Sequence, residues 1–296
     1  MPFFRRPIDI QNSTVRPAGP ADVTPIARLL RDSAHRFLSA GTSLAGLLGQ
    51  TPALLLCSGS TVLAAAVAGW PAGGITWLRA LVIADEAPLG PAMDALLPPF
   101  HGQMRDQGLA GVFYAGDLSA DSWALPTLQA HGYSRATEVI VYEKRRLDVP
   151  SAGNGQARVR RAQTVDLPDV LAIDEACFEP QWYKDEGILG PAITGEAPFF
   201  VVAELDGRTA GFAFATSHFS GRLVHLVRIA VHPDWQGKAL GVRLLAEVTD
   251  YARSLGADSL TLNTQLENHT AQRLYEWFGF RRTGERQTVL RFALSD

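Results

Sequence analysis

The stretch Val231-His232-Pro233-Asp234-Trp235-Gln236-Gly237-Lys238-Ala239-Leu240-Gly241-Val242-Arg243 decides how this 296-residue chain reads. An apolar run, 223–231, stops before Pro233, and a short Gly-containing turn follows. A helical pattern then begins at once, with Val242, Leu245, Val248, Ala252 and Leu255 on one face until Gly256. A strand therefore runs straight into a helix. Backbone N–H groups at such a helix start point outward with the positive end of the helix dipole behind them, which makes a pocket for phosphate. Gly237 and Gly241 are expected to keep side chains out of the anion's way. No Gly-Lys-Ser/Thr closes the loop and it is not Gly-x-Gly-x-x-Gly. On these residues alone, an ordinary strand-to-helix turn is equally open.

Working outward, strands are expected at 158–161, 199–205, 209–217, 223–231, 259–264 and 288–294, and helices at 167–178, 241–255 and 270–278. Asp166 is placed as an N-cap with Pro168 in the first turn, and Asp206-Gly207-Arg208 as a hairpin turn. The second half is thus an α/β (α+β) unit with a mostly antiparallel sheet.

That half has a partner. Val15-Arg16-Pro17-Ala18, then Asp22 and Ile26, recurs as Val159-Arg160-Arg161-Ala162, then Asp166 and Val170, at a constant offset of 144. His131-Gly132-Tyr133-Ser134-Arg135 matches Phe278-Gly279-Phe280-Arg281-Arg282 at 147; Trp77-Leu78-Arg79 and Leu89-Gly90 match Val227-Arg228 and Leu240-Gly241 at 149 to 151. Order is preserved, as in a duplication with loop indels. The division read from this is 1–147, a linker at 148–157 rich in Pro, Gly, Ser and Asn, and 158–296.

Composition removes several classes. A net charge of −3 and a pI near 6.2 leave no basic footprint for nucleic acid. The excess of acid lies in the second half. Two cysteines, Cys57 and Cys177, encode no disulfide framework or Cys-based metal site, and fit a reducing, cytoplasmic setting. No apolar run follows Arg5 and Arg6, so the amino terminus does not read as a secretory signal. The apolar stretch 53–70 is broken by Ser58-Gly59-Ser60 and reads as strand, turn, strand rather than a membrane span.

With these residues in view, the chain resembles the GCN5-related N-acetyltransferase (GNAT) superfamily. Its acyl-CoA motif, Gln/Arg-x-x-Gly-x-Gly/Ala, is similar to Gln236-Gly237-Lys238-Ala239-Leu240-Gly241, with Ala239 in place of the middle glycine. Ile229-Ala230-Val231 resembles the family's fourth strand, and Asn268, Ala271, Leu274-Tyr275 and Gly279-Phe280 its second CoA motif. The resemblance covers about 140 residues. It implies two tandem GNAT folds, in an arrangement like that of the mycothiol synthases, with acetyl-CoA as cosubstrate, no metal, and an amine acceptor, small molecule or peptide.

The resemblance further implies that Gln236, Gly237, Lys238, Ala239, Leu240, Gly241 and Val242 hold the pyrophosphate, and that the edge of Ile229, Ala230 and Val231 pairs with the pantetheine arm. Asn268 would contact CoA, or only cap its helix. Tyr275 would protonate the leaving thiolate, or only pack among Leu274, Trp277 and Phe278. Where the ribosomal-protein alanine acetyltransferases carry a glutamate base, this chain has His225, whose ordinary pKa of about 6.5 suits proton acceptance. Glu204 or a water chain is the alternative base, and an ordinary strand histidine the bland reading. The aromatics of Phe178-Glu179-Pro180-Gln181-Trp182-Tyr183 would line an acceptor pocket or anchor a loop. The acidic half favours a cationic acceptor.

The first half lacks this chemistry. Asp85 falls at the position of Gln236, the turn 84–88 carries two acids, and Asp121 and Leu128 stand for Asn268 and Tyr275. It is expected to be a degenerate copy that completes the acceptor site or stabilises the active half. The leading expectation is an acetyl-CoA-dependent N-acetyltransferase acting by direct attack, with its site in the second half; the alternative is a non-catalytic acyl-CoA-binding or regulatory module.

Overall fold

The duplication holds at the level of single hydrogen bonds. In the first copy Arg16 clasps Asp22 with two N–H groups at 2.9 and 2.7 Å, and Asp22 also accepts from the Gly19 N–H at 2.9 Å. In the second, Arg160 clasps Asp166 at 2.7 Å twice, and Asp166 accepts from the Gln163 N–H at 2.7 Å. The Asp166 side chain therefore turns back onto Arg160 instead of capping its helix, which has no side-chain cap. A bidentate guanidinium–carboxylate pair holds both acids well below their ordinary pKa.

The computed structural model describes residues 10–294. Two units form, Met1–Thr137 with Gln287–Asp296, and Glu138–Arg286. The first contains β1 (Thr14–Pro17), α1 (Val23–Asp32), β2 (His35–Leu38), α2 (Leu44–Leu47), β3 (Ala53–Ser58), β4 (Thr61–Ala68), β5 (Ile75–Ile83), α3 (Leu89–Asp106), β6 (Gly111–Tyr114) and α4 (Leu118–Ala130). β1, β3, β4 and β5 are antiparallel neighbours, and β6 is parallel to β5. The apolar stretch is the β3–β4 hairpin, turning through Gly59 at φ +57. Among the described residues no helix is long and apolar enough to cross a membrane.

Next come β7 (Ser134–Lys144), β8 (Arg158–Arg161), α5 (Leu167–Cys177), α6 (Glu186–Pro191), β9 (Phe199–Leu205), β10 (Arg208–His218), β11 (Leu223–Val231), α7 (Leu240–Ser254), β12 (Ser259–Gln265), α8 (His269–Trp277) and β13 (Arg281–Ala293). In the second unit β8, β9, β10 and β11 are antiparallel neighbours, and β12 is parallel to β11. Both sheets are mixed and mostly antiparallel, with helices on their faces, as the resemblance implies. β10 is buried on both faces: Ala213 and Ala215 pack with Leu244, Leu245 and Val248 of α7, while Phe212 and Phe214 pack with Val170 and Ile173 of α5. Double burial is why these strands read as near-continuous apolar runs.

The boundaries of the units differ from the sequence division 1–147, 148–157 and 158–296. β7 pairs with β12 from Val139 to Lys144 and so belongs to the second sheet. Lys144 is buried there, its Nζ donating to the Phe278 carbonyl at 2.9 Å. The final strand starts earlier than expected, at Arg281, and its end, Leu290–Ala293, pairs with β6 of the first sheet. Each sheet is completed by a strand from the other half of the sequence. The segment expected as a linker also lies within the second unit.

Candidate functional site

The site begins with two strands that part. β11 and β12 pair only from Leu223↔Ser259 to Leu226↔Leu262, whereas β11 continues to Val231 against β10. At the parting point β11 carries a bulge: Phe214 faces Arg228, Ala215 faces Leu226, and Val227 is the extra residue. From Val227 to Val231 the edge toward β12 has no strand partner among the described residues. An unpaired edge can take an extended chain as a further strand. Ile229, Ala230 and Val231 lie along this edge.

At its end the chain turns through Pro233–Trp235 into the loop before α7. The Gln236 amide donates back to the Val231 carbonyl at 3.1 Å and pins the turn. Gly237 is at φ +76 with open space where a Cβ would be, and Ala239 is left-handed at φ 56, ψ 22. The first helical bond runs from Arg243 N–H to the Ala239 carbonyl, so among the described residues the N–H groups of 237–242 have no acceptor. These groups, with the dipole of a 15-residue helix behind them, fit an anion. The left-handed Ala239 costs about 1–2 kcal/mol, which a glycine avoids. Lys238 adds a cation, its Nζ 4.3 Å above the Trp235 ring. Gly241 also has a packing reason: a Cβ there would stand 3.3 Å from Leu274, so its absence permits α7 to approach α8 closely.

His225 sits in a polar row that only the register reveals. Thr216 on β10, His225 on β11, Thr261 on β12 and Glu143 on β7 are successive partners across four strands. His225 Nδ1 lies 3.0 Å from Thr261 Oγ1, which is 3.5 Å from the Val224 carbonyl. In the tautomer with Nδ1–H donating to Thr261 Oγ1, Nε2 carries the free lone pair. Burial, then the nearby His218 and Lys184, pushes the imidazole pKa below its ordinary value. A cavity of about 1280 Å³ whose lining includes Glu143, Thr261, Leu223, Arg281 and Glu285 opens beside the row.

Tyr275 lies on the opposite face, in the core cluster of Val224, Leu226 and Phe280. Its ring centroid is 6.0 Å from those of both Tyr142 and Phe280, and burial pushes its pKa up to about 12. Among the described residues its hydroxyl has no hydrogen-bond partner. β11 and β12 stop pairing after Leu226↔Leu262, between the face of His225 and that of Tyr275. Asn268 is the N-cap of α8, accepting from the Ala271 N–H at 3.1 Å. Glu204 is engaged elsewhere, paired with Arg160 at 2.7 Å on β9, two strands from His225.

A buried ion pair fixes the wall beside the row. Arg228, next to the bulge, binds Asp174 of α5 at 2.7 and 2.6 Å, donates to the Trp182 carbonyl at 2.8 Å and lies 3.3 Å over the Phe178 ring. Asp174 also accepts from the Lys184 N–H at 2.9 Å. Of the aromatics in 178–183, Phe178 and the Trp182 backbone therefore anchor the loop on Arg228. Sequence reasoning missed Asp174, Thr261 and Glu143; their signal was polar residues on otherwise apolar elements, which needs the pairing to interpret.

In the first unit the equivalent gap is filled. β5 has the matching bulge at Arg79 and leaves β6 after Trp77↔Phe113. Its free edge is then taken by β2, from Leu38↔Ala80 to His35↔Ile83. Phe37 is buried there, its ring 4.9 Å from that of Tyr114, and His35 lies edge-on to Trp123 of α4 at 5.4 Å. Asp85 is used locally, accepting from the Ala34 N–H at 2.8 Å. Asp121 accepts from the Tyr114 hydroxyl at 2.8 Å.

The chain matches known acetyltransferases in sequence and in fold. The sequence model of the acetyltransferase (GNAT) family matches residues 167–280. The chain is similar to the uncharacterized N-acetyltransferase YhfO of Bacillus subtilis (strain 168), 33% identical over 133 residues that cover 41% of this chain and 88% of that protein. It is also similar to a thialysine N-epsilon-acetyltransferase of Mus musculus, 28% identical over 153 residues, 46% of this chain and 90% of that one. In fold, it is similar to a tandem GNAT protein from the clavulanic acid biosynthesis pathway, with TM-score 0.62, 14% identity and coverage of 96% and 99% of the two chains.

Proposed function

The chain belongs to the GNAT family and is an N-acetyltransferase, and from that premise we propose that it moves an acetyl group from acetyl-CoA to a primary amine by direct attack, in the unit Glu138–Arg286. The observation that carries this reading is the open edge of β11 leading into the unpaired N–H groups of 237–242. Gln236, Gly237, Lys238, Ala239, Leu240, Gly241 and Val242 hold the pyrophosphate, and the edge at Ile229, Ala230 and Val231 takes the pantetheine arm as an added strand. Asn268 caps α8 beside it.

The division of labour follows from the two faces. His225 Nε2 takes one proton from the acceptor's ammonium on the polar face, leaving the neutral amine that attacks. The amine nitrogen then bonds to the acetyl carbon while an edge N–H of β11 donates to the developing oxyanion. Tyr275, kept protonated by burial, gives its proton to the departing sulfur as the carbon–sulfur bond breaks, and the second proton of the former ammonium leaves the nitrogen as the amide forms and restores the phenol. The first unit is the degenerate copy: β2 already occupies the edge an acyl donor would need. The acceptor is a small-molecule or peptide amine, approaching from the cavity beside Glu143 and Thr261.

Release of free thiol from acetyl-CoA, followed over a panel of amino acids, peptides, polyamines and amino sugars, tests the reading. An amine that raises the release rate, with that gain lost in His225→Gln and Tyr275→Phe, supports it. Amine-stimulated release that survives both substitutions overturns the site.

A further inference from the structure

The segment expected as a plain linker is tied to the phosphate loop. Gly153, at φ +70, lies so close to the first turn of α7 that a Cβ on it would stand 2.4 Å from the Arg243 nitrogen and 2.8 Å from the Ala239 carbonyl oxygen. The Asn154 N–H donates to the Ala239 carbonyl at 3.3 Å, and its Nδ2 donates to the Lys238 carbonyl at 2.9 Å. The amide orientation is fixed from the far side. There Oδ1 accepts from the N–H groups of Gln156 and Ala157 at 2.8 and 3.2 Å, and those groups can only donate.

These bonds matter because a trans peptide is planar, with its C=O and N–H pointing opposite ways. Holding the Lys238 carbonyl toward Asn154 turns the Ala239 N–H away from it. Holding the Ala239 carbonyl does the same for the Leu240 N–H. Both peptide planes flank the left-handed Ala239, a conformation an alanine leaves readily unless its neighbours hold it. No side chain of the loop caps this helix start.

Resting on the acyl-donor site proposed above, we infer that Asn154 is a positioning residue for the donor's pyrophosphate. It orients two of the N–H groups that face the anion without touching the anion itself. Ala239, where the family motif has glycine, makes the brace necessary, because the loop does not hold its shape unaided.

Calorimetric titration with acetyl-CoA and with S-acetylpantetheine, which has the thioester arm but no pyrophosphate, tests this. Asn154→Ala removes the Nδ2 bond to the Lys238 carbonyl and the Oδ1 bonds that set the backbone N–H on Ala239; it weakens acetyl-CoA about tenfold, the effect of about one modest hydrogen bond, and leaves S-acetylpantetheine unchanged. Ala239→Gly added to the same chain restores most of the loss, since glycine adopts the left-handed turn freely. Unchanged acetyl-CoA affinity, or equal weakening of both ligands, overturns the role of Asn154. If the wild-type protein binds both ligands equally well, the phosphate-loop reading itself fails; a wild-type preference for acetyl-CoA that is undiminished in Asn154→Ala removes this inference alone.

Discussion

His225 and Thr261 face each other one rung before β11 and β12 part, with Nδ1 3.0 Å from Oγ1. The hydroxyl fixes the ring while the parting strands leave room beyond it. Because burial, then the nearby His218 and Lys184, lower its pKa below the ordinary value, His225 is neutral at pH 7 and ready to accept a proton. The expected profile of kcat/KM is flat near neutrality and falls on the acid side, below the ordinary value of about 6.5. His225→Gln lowers kcat/KM by about 10²–10⁴-fold and abolishes that acid limb. An acid limb unchanged in the variant assigns the proton to another group. The linkage has a matching sign: the folded state binds this proton less readily than the unfolded chain. Stability present above about pH 6.5 is thus lost as pH falls through the lower folded value.

Tyr275 separates packing from chemistry cleanly. Its ring fills the core, and its hydroxyl has no partner among the described residues, so Tyr275→Phe keeps the ring contacts and strands no donor or acceptor. Thermal stability and acetyl-CoA affinity are expected to stay as they are, while kcat falls about 10²-fold. A thiolate leaves without full protonation, so the reaction slows but persists. With the phenol pKa pushed up to about 12, no alkaline limb from this group appears below pH 10. Wild-type kcat in the variant would return Tyr275 to a packing role.

What the sequence made legible is what is local. The Gln236–Gly241 turn shows itself because a strand, a glycine and a helix follow one another within a dozen residues, and the Arg16–Asp22 and Arg160–Asp166 clasps because equal spacing gives equal geometry. The polar row was hidden because one residue of register decides which side chains share a face. The exchange of β7 and β13 was hidden for a related reason: alternation marks 288–294 as a strand but does not say which edge receives it. β2, with only His35-Arg36-Phe37-Leu38, is too short for a pattern, and α6 has no long apolar face. Asn154 reads as a turn residue by composition, and its docking on Lys238 is a distant contact.

The Asp174–Arg228 pair sets the stability of the wall beside His225. Both groups are buried, with 1% and 9% of their side chains exposed. Removing one partner leaves the other charge without compensation. Asp174→Ala is expected to cost about 3–5 kcal/mol in urea unfolding, because Arg228 keeps only the Trp182 carbonyl and the Phe178 ring. Asp174→Leu with Arg228→Met recovers part of that loss, since no charge is then buried. Equal losses in the single and double variants would mean that the hydrogen bonds to Trp182 and Lys184, rather than the charges, carry the energy.

With the acyl-donor site proposed in the second unit, the filled gap of the first unit is expected to limit each chain to one donor. β2 forms a ladder with Ala80–Ile83, and Phe37, 5% exposed, packs in the core between β5 and Tyr114. Displacing it exposes that ring, a loss comparable to the 3–5 kcal/mol of a buried Phe→Ala change. Against such a cost, the second-unit edge, which needs no displacement, fills first and alone at ordinary concentrations. Titration with acetyl-CoA is therefore expected to saturate at one molecule per chain. Gly237→Asp, which puts a carboxylate into the open space at the second-unit loop, is expected to remove that one site rather than one of two. Two equivalents bound by the wild-type protein, or one equivalent persisting in Gly237→Asp, would show that β2 yields its place to the donor.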